Sequence, residues 1–242
     1  MQLVVDSHTH TIASGHAYST VQENAKEALV NGIAMFVMTD HGPAMKGAPY
    51  LYHFGNLKTI PRMINGVTII RGAEANIIDY DGSVDIPDNY LHSLEYVIAS
   101  FHDICIEPAS IEEHTRALIK LIQNPLIDVI GHPGNPMYQV DIDQVVQAAV
   151  EYNKPIEINN KSFLVRTGSE ANCLEFLKKC KQYHAPIVCG SDAHISFEIG
   201  LFDKLYRLFS KTEFPESLIL NASTEKFESY LQKRRNRISG KT

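Results

Sequence analysis

The chain has 242 residues, 44% of them hydrophobic and 21% charged, a balance that supports a large buried core and excludes a disordered or membrane-embedded polypeptide. The length suits one α/β barrel, and no Gly/Ser-rich linker or composition break divides it, so residues 1–242 read as a single domain. A net charge of −6 argues against a broad nucleic-acid surface, no stretch approaches the roughly 18 apolar residues of a membrane span, and residues 1–6 carry no basic leader, so a cytoplasmic protein without membrane contact is expected.

The first apolar, β-rich run is residues 3–5, followed by helical periodicity through Val21, Ala25, Ala28 and Leu29. Ser19 and Gln22 have capping-box spacing at the start of that helix, and Gly32 marks its end. A second strand is expected at residues 34–38, then a long Gly-, Pro- and Tyr-rich segment over residues 42–66 that should cover one end of the barrel. The third strand falls at residues 67–70, with Asp81-Gly82 between two apolar stretches as a hairpin signal. Further strands are expected at residues 96–99, 126–130, 155–158 and 187–189. Between the fourth and fifth, Ile111, Leu118, Ile119 and Ile122 mark a helix face, with a capping box at Ser110 and Glu113. Two helices close the chain, one around Phe202, Leu205 and Phe209, the other around Phe227, Tyr230 and Leu231. Seven strands alternating with helices predict an α/β fold in which a parallel sheet closes as a distorted seven-stranded (β/α)7 barrel of the TIM-like kind.

The candidate metal ligands fall at the C-terminal ends of those strands. His8 and His10 follow the first, His41 the second, Glu74 the third, His102 the fourth, His132 the fifth, and Asp192 with His194 the seventh. Barrel enzymes assemble their active sites at that end. Residues two apart on an extended segment point the same way, so His8 with His10, and Asp192 with His194, can chelate together. A single strand-end histidine is more often structural than a ligand; so many imidazoles and carboxylates at one mouth would be left unpaired without cations. Imidazole and carboxylate suit Zn2+, Mn2+ or Fe2+. With His16, the nine protein ligands exceed the four of one tetrahedral site and are enough for three divalent ions if Glu74 bridges two of them. Asp6 reads equally as a group that orients His8 or His10 and as a backbone cap. His92, His114 and His184 read as structural or solvated; His53 reads chiefly so, with contact to substrate as the second reading that its place in the long segment allows. Cys105, Cys173, Cys180 and Cys189 lack CxxC spacing and read as reduced core thiols. Residues 226–242 hold six Lys/Arg against one Glu and read as a solvated helix end.

At Asp6-Ser7-His8-Thr9-His10 the chain resembles the PHP (polymerase and histidinol phosphatase) family, most of all its compact trinuclear-zinc phosphatases of the YcdX type. Thr39-Asp40-His41-Gly42, Gly72-Ala73-Glu74, Ser100-Phe101-His102, Gly131-His132-Pro133 and Gly190-Ser191-Asp192-Ala193-His194 continue the likeness in the family's order over nearly the whole chain. The resemblance implies a distorted seven-stranded β/α barrel. It groups His8, His10, Glu74 and Asp192 on one ion, Glu74, His102 and His132 on a second, and His16, His41 and His194 on a third. It also implies a homo-oligomer, a trimer.

Phosphate monoesters are so inert that their hydrolysis asks an enzyme for up to about 28 kcal/mol, far beyond general acid-base action alone, and clustered cations meet that demand. The expected reaction is in-line attack of a metal-bound hydroxide on a small phosphorylated substrate, with Glu74 and Asp192 as catalytic carboxylates, Asp192 doubling as proton acceptor. Arg166, in the loop after the sixth strand, reads equally as a phosphate clamp and as half of a surface salt bridge, and Lys161 as solvated. Competing readings are phosphodiester cleavage, metal-dependent hydrolysis of a carbon–nitrogen bond, and a non-enzymatic metal store.

Overall fold

In the computed structural model, which describes residues 2–240, every expected strand run overlaps a strand. The order is β1 (Val5–Thr9), α1 (Val21–Val30), β2 (Met35–Met38), α2 (Tyr52–Asn56), β3 (Met63–Ile64), β4 (Val67–Asn76), α3 (Asp88–Leu91), β5 (Tyr96–Ser100), α4 (Ile111–Gln123) and β6 (Val129–Ile130). It continues with α5 (Ile142–Glu151), β7 (Ile156–Asn159), α6 (Ser162–Val165), α7 (Ser169–Tyr183), β8 (Ile187–Gly190), α8 (Asp203–Thr212) and α9 (Thr224–Ser239). Seven strands pair in parallel in the order β1-β2-β4-β5-β6-β7-β8, and β3 adds an antiparallel stub to β4. A bridge between Thr9 and Ala193, with His10 N–H donating to Ala193 O at 2.9 Å, draws the two outer strands together into a nearly closed barrel.

Alternation along the strands sorts two cores. Val5, Met35, Val37, Ile70, Tyr96, Ile98, Val129 and Val188 fill the barrel interior, whereas Phe36, Ile69, Val97, Ile130, Ile156, Ile158 and Ile187 face the surrounding helices. Period two then places Glu74 on the interior side with Ile70, and Glu157, between the outward Ile156 and Ile158, on the interior side as well. The interior is apolar below and carries its ionisable groups above.

Helix α9 seals the lower end. Phe227, Tyr230 and Leu231 join the interior core, and Arg234, 1% exposed, donates to Leu91 O, Leu94 O, Leu126 O and, at 2.6 Å, to Asp128 Oδ2. Arg237 reaches the other oxygen of Asp128 at 2.5 Å. The basic tail is thus not simply a solvated helix end: Arg234 and Arg237 neutralise Asp128 and satisfy strand-entry carbonyls, while Lys233 and Arg235 remain exposed. Lys241 lies outside the described residues.

Other differences are local. The first strand begins at Val5 and runs through the polar Asp6–Thr9 stretch, because those side chains find buried partners at the barrel mouth. The β6 run shortens to two residues, since Asn124 caps a turn by accepting from Leu126 N–H and Ile127 N–H. The capping box of α1 uses Thr20 and Glu23 rather than Ser19 and Gln22; that of α4 uses Ser110 and Glu113. At Asp81-Gly82 the chain reverses with one bridge, Ile77 to Val84, and Asp79 accepts from Asp81 and Ser83 N–H. Residues 42–66 cover the mouth beside the loop after β1, so closely that a Cβ on Gly15 would lie 2.3 Å from Gly47 O.

Candidate metal centre

The upper ends of the strands bring all nine predicted ligand residues together. Glu74, at the end of β4, is 1% exposed, and its two oxygens face different partners. Oε2 lies 3.1 Å from His8 Nε2, 3.4 Å from His10 Nε2 and 2.9 Å from His41 Nδ1. Oε1 lies 2.9 Å from His132 Nε2 and 3.3 Å from His102 Nε2. Asp192 Oδ1 is 3.3 Å from His10 Nε2 and 3.9 Å from His8 Nε2. His16 packs its ring 5.1 Å from that of His41 and 4.8 Å from that of His194. His132 and Asp192 both adopt positive φ, 32° and 58°, at the turns that aim their side chains inward.

Hydrogen bonds fix which imidazole nitrogen is available. His8 Nδ1–H donates to Glu157 Oε1 at 2.7 Å. Ser14 Oγ gives its proton to Asp40 Oδ1 and can only accept from His10 Nδ1, at 3.0 Å. Asn76 directs its amide nitrogen to Gly42 O and Asp85, so its oxygen accepts from His102 Nδ1–H at 2.8 Å. His194 Nδ1–H donates to the Asp192 carbonyl at 2.9 Å. In all four the Nε2 lone pair is left over. The Nε2 atoms of His8 and His10 are 3.1 Å apart, and His41 Nδ1 and Glu74 Oε2 are buried without a hydrogen-bond partner despite their 2.9 Å separation. Such atoms face a common point without satisfying one another, and a shared cation resolves them. Three triplets have ligand atoms within 4.8 Å of one another: His10, His41 and His194; His8, His10 and Glu74; His41, Glu74 and His102.

Charge balance agrees. Burial would raise Glu74, but His8, His41 and His102 hold it well below the usual carboxylate range; burial opposes the same effect of His8, His10 and Arg166 on Asp192. Burial with His41 and His194 pulls His10 down, and burial with Arg166 pushes His132 down to about 4, keeping both as neutral donors. His8 goes the other way: burial disfavours its charge, yet Glu74, Glu157 and Asp192 raise it well above an ordinary histidine. The carboxylates around it call for positive charge.

The remaining candidates sort cleanly. Arg166, 16% exposed, donates from Nη1 to Ser162 Oγ at 3.0 Å and approaches Asp192 Oδ2 at 3.4 Å, on the wall of a cavity of about 340 Å³ over the imidazoles. It is therefore not half of a surface ion pair. Lys161 lines the same cavity and pairs with Glu198 rather than standing solvated. Asp6 accepts from the backbone of His8, Ser191 and Gly200 and acts as a cap. His53 binds Asp40 at 3.2 Å; His114 is buried between Ala109 N–H and the Gln139 carbonyl. Glu157, Asp40, Ser14 and Asn76 are the residues that strand-end reasoning misses. Only the carboxylate of Glu157, flanked by Ile156 and Ile158, offers a sequence signal. A Cβ on Gly190 would lie 2.4 Å from both Glu157 Oε1 and His8 Cβ, so β8 passes the pair only as glycine.

The PHP domain family model matches residues 6–168, more than half of the chain. The chain belongs to the PHP domain family. This PHP chain is 60% identical over 241 residues to a "Probable phosphatase" of Acetivibrio thermocellus, covering 100% of both. It is 52% identical to one of Caldanaerobacter subterraneus subsp. tengcongensis, covering 99% of this chain and 95% of the relative. By that kinship it is a hydrolase of the phosphatase class. Its fold matches the histidinol phosphate phosphatase of Lactococcus lactis subsp. lactis, a crystal structure with zinc, L-histidinol and phosphate, with a TM-score of 0.65 at 19% identity over 89% of this chain and 95% of the other. Among the described residues of the PHP chain no helix is long and apolar enough to cross a membrane.

Proposed function

We propose that the chain hydrolyses monoesters of phosphoric acid at a trinuclear centre. The observation that carries this reading is the split environment of Glu74, whose Oε2 faces His8, His10 and His41 and whose Oε1 faces His102 and His132. A carboxylate so placed suits a bridging ligand. His8, His10, Glu74 and Asp192 would hold one ion, Glu74, His102 and His132 a second, and His16, His41 and His194 a third, with Zn2+ favoured by the imidazole-rich set and Mn2+ or Fe2+ compatible with it. Bound there, divalent ions supply acidified water near neutral pH and offset the negative charge of a phosphoryl group.

The chain's own groups do the rest. Arg166 commits Nη1 to Ser162 and Asp192, and its other donors are available at the cavity wall to hold a phosphate oxygen by the planar fork. Asp192 remains ionised, anchored by Asn159 Nδ2 at 3.2 Å from Oδ2, and can receive a proton. Its depressed basicity restricts that role to protons already made acidic. Met45 from the loop after β2 and Lys161, Val165 and Arg166 from the loop after β7 wall a cavity of about 340 Å³, a size that suits a small substrate.

The reading is tested with protein purified without chelator and of measured metal content, assayed on p-nitrophenyl phosphate and on bis(p-nitrophenyl) phosphate. Faster monoester turnover that is lost on chelation and restored by metal is expected. A preference for the diester would replace the proposal with phosphodiester cleavage.

A further inference from the structure

The cavity over the imidazoles shares His102, Val165 and Arg166 with a second cavity of about 560 Å³ that opens outward between the loops after β5, β6 and β7. A phosphoryl group at the inner cavity leaves the rest of its ester facing this neighbour. The volume is well beyond what a phosphate ion needs and lies in the range of small-molecule sites. We propose that it is the leaving-group subsite, and that it takes an organic alcohol with an apolar face and no negative charge, so that simple monophosphate esters are substrates and bisphosphates or carboxylated esters are disfavoured. This rests on the phosphatase reading above.

The wall carries the first half of the argument. Phe101 is held rigid by stacking on Tyr138, ring centroids 4.7 Å apart and 9° from parallel, and Pro136, Met137 and Val165 continue its surface. Met137 and Val165 are 49% and 59% exposed beside an otherwise charged site. Apolar side chains left uncovered next to a polar centre gain most from an apolar group laid over them. Asn135 and Thr167 are the neutral polar residues of that wall, so an all-polar leaving group would recover only part of the hydration it gives up there.

Charge carries the second half. The guanidinium of Arg166 stands on the shared wall and is drawn toward Asp192, so it serves the inner cavity. Lys161 lines the inner cavity alone and is paired with Glu198. The fixed charge proper to the outer cavity is Asp103, which is exposed and has no ion-pair partner among the described residues. An anionic body would meet that carboxylate with no cation of the outer cavity's own to offset it, because Arg166 is drawn to the inner one. Because Asp103 is exposed, the discrimination should be modest and should shrink as salt is added.

The test uses three aryl esters that differ in charge, phenyl phosphate carrying a para methyl, aminomethyl or carboxymethyl group. For the metal-replete protein at low ionic strength, kcat/KM for the methyl and aminomethyl esters should exceed that for the carboxymethyl ester by about fivefold. Asp103→Asn should bring the kcat/KM ratio of the two charged esters toward one, and Met137→Ser should raise KM for the methyl ester. Equal kcat/KM across the three esters, or a charge preference that survives Asp103→Asn, overturns the subsite. Failure to hydrolyse any of them at full metal content instead removes the phosphatase reading, and the subsite with it.

Discussion

Glu157 Oε1 accepts the Nδ1–H of His8 at 2.7 Å, while its second oxygen accepts the backbone N–H of His132 at 2.6 Å. One buried carboxylate on β7 thereby sets the tautomer of an imidazole on β1 and the turn that presents another after β6. Glu157→Gln keeps the shape and removes the charge. Partners of this kind are commonly worth about 10- to 100-fold in metal affinity, so the variant should lose metal to a competing chelator at correspondingly lower chelator concentration. Unchanged metal affinity in a folded variant would show that Glu157 only packs.

Glu74 and His16 differ in how much they hold. Glu74 lies within hydrogen-bonding or ligand reach of five imidazoles, whereas His16 meets His41 and His194 at the outer side. Glu74→Gln should therefore depress kcat by a larger factor than His16→Gln and release more than one ion per chain. Metal analysis alongside kinetics decides; equal losses of both would argue that Glu74 serves a single ion.

Arg166→Ala should leave metal content intact, because a guanidinium is permanently cationic and is not a metal ligand. A rise in KM with kcat unchanged would mean that Arg166 holds the phosphate equally in ground and transition states, and a fall in kcat that it acts in the transition state. Unchanged kinetics at full metal occupancy would remove it from the substrate.

Lys154 gives a pH signature away from the centre. Its Nζ donates to the carbonyls of Asn124 and Ile127, and burial, reinforced by Arg237, pushes its ammonium down to about 7. An unfolded lysine holds its proton to about 10.4, so above pH 7 the unfolded chain binds more protons and this contribution to stability rises with pH, by at most about 1.4 kcal/mol per unit. Below pH 7 both states are protonated and the contribution is flat. Chemical denaturation between about pH 7 and 8, before the unfolded chain's thiols ionise, should show Lys154→Met lacking that rise; parallel slopes would mean that the lysine stays charged in the fold.

The barrel and the nine clustered side chains are legible in the sequence because both depend on short-range pattern. Apolar runs mark the strands, and ligand-type residues two to five positions past every run but the sixth mark the mouth, His16 alone lying farther along its loop. Glu157 is hidden by its context: a lone acid between Ile156 and Ile158 shows its direction only once period two is anchored to a known interior. The Ser14–Asp40 and Asn76–Asp85 tethers join segments 26 and 9 residues apart and have no local signal. Arg234 reads as a solvated charge because its partners, Asp128 and three carbonyls, lie more than 100 residues upstream.

The central claim is that these side chains hold three ions around Glu74, and metal stoichiometry tests it most directly. Elemental analysis of chelator-free protein, titrated to saturation with Zn2+ and freed of excess, should give about three ions per chain, falling on Glu74→Gln. Saturation at one ion per chain would contradict the trinuclear centre and leave most of the clustered imidazoles to a structural role.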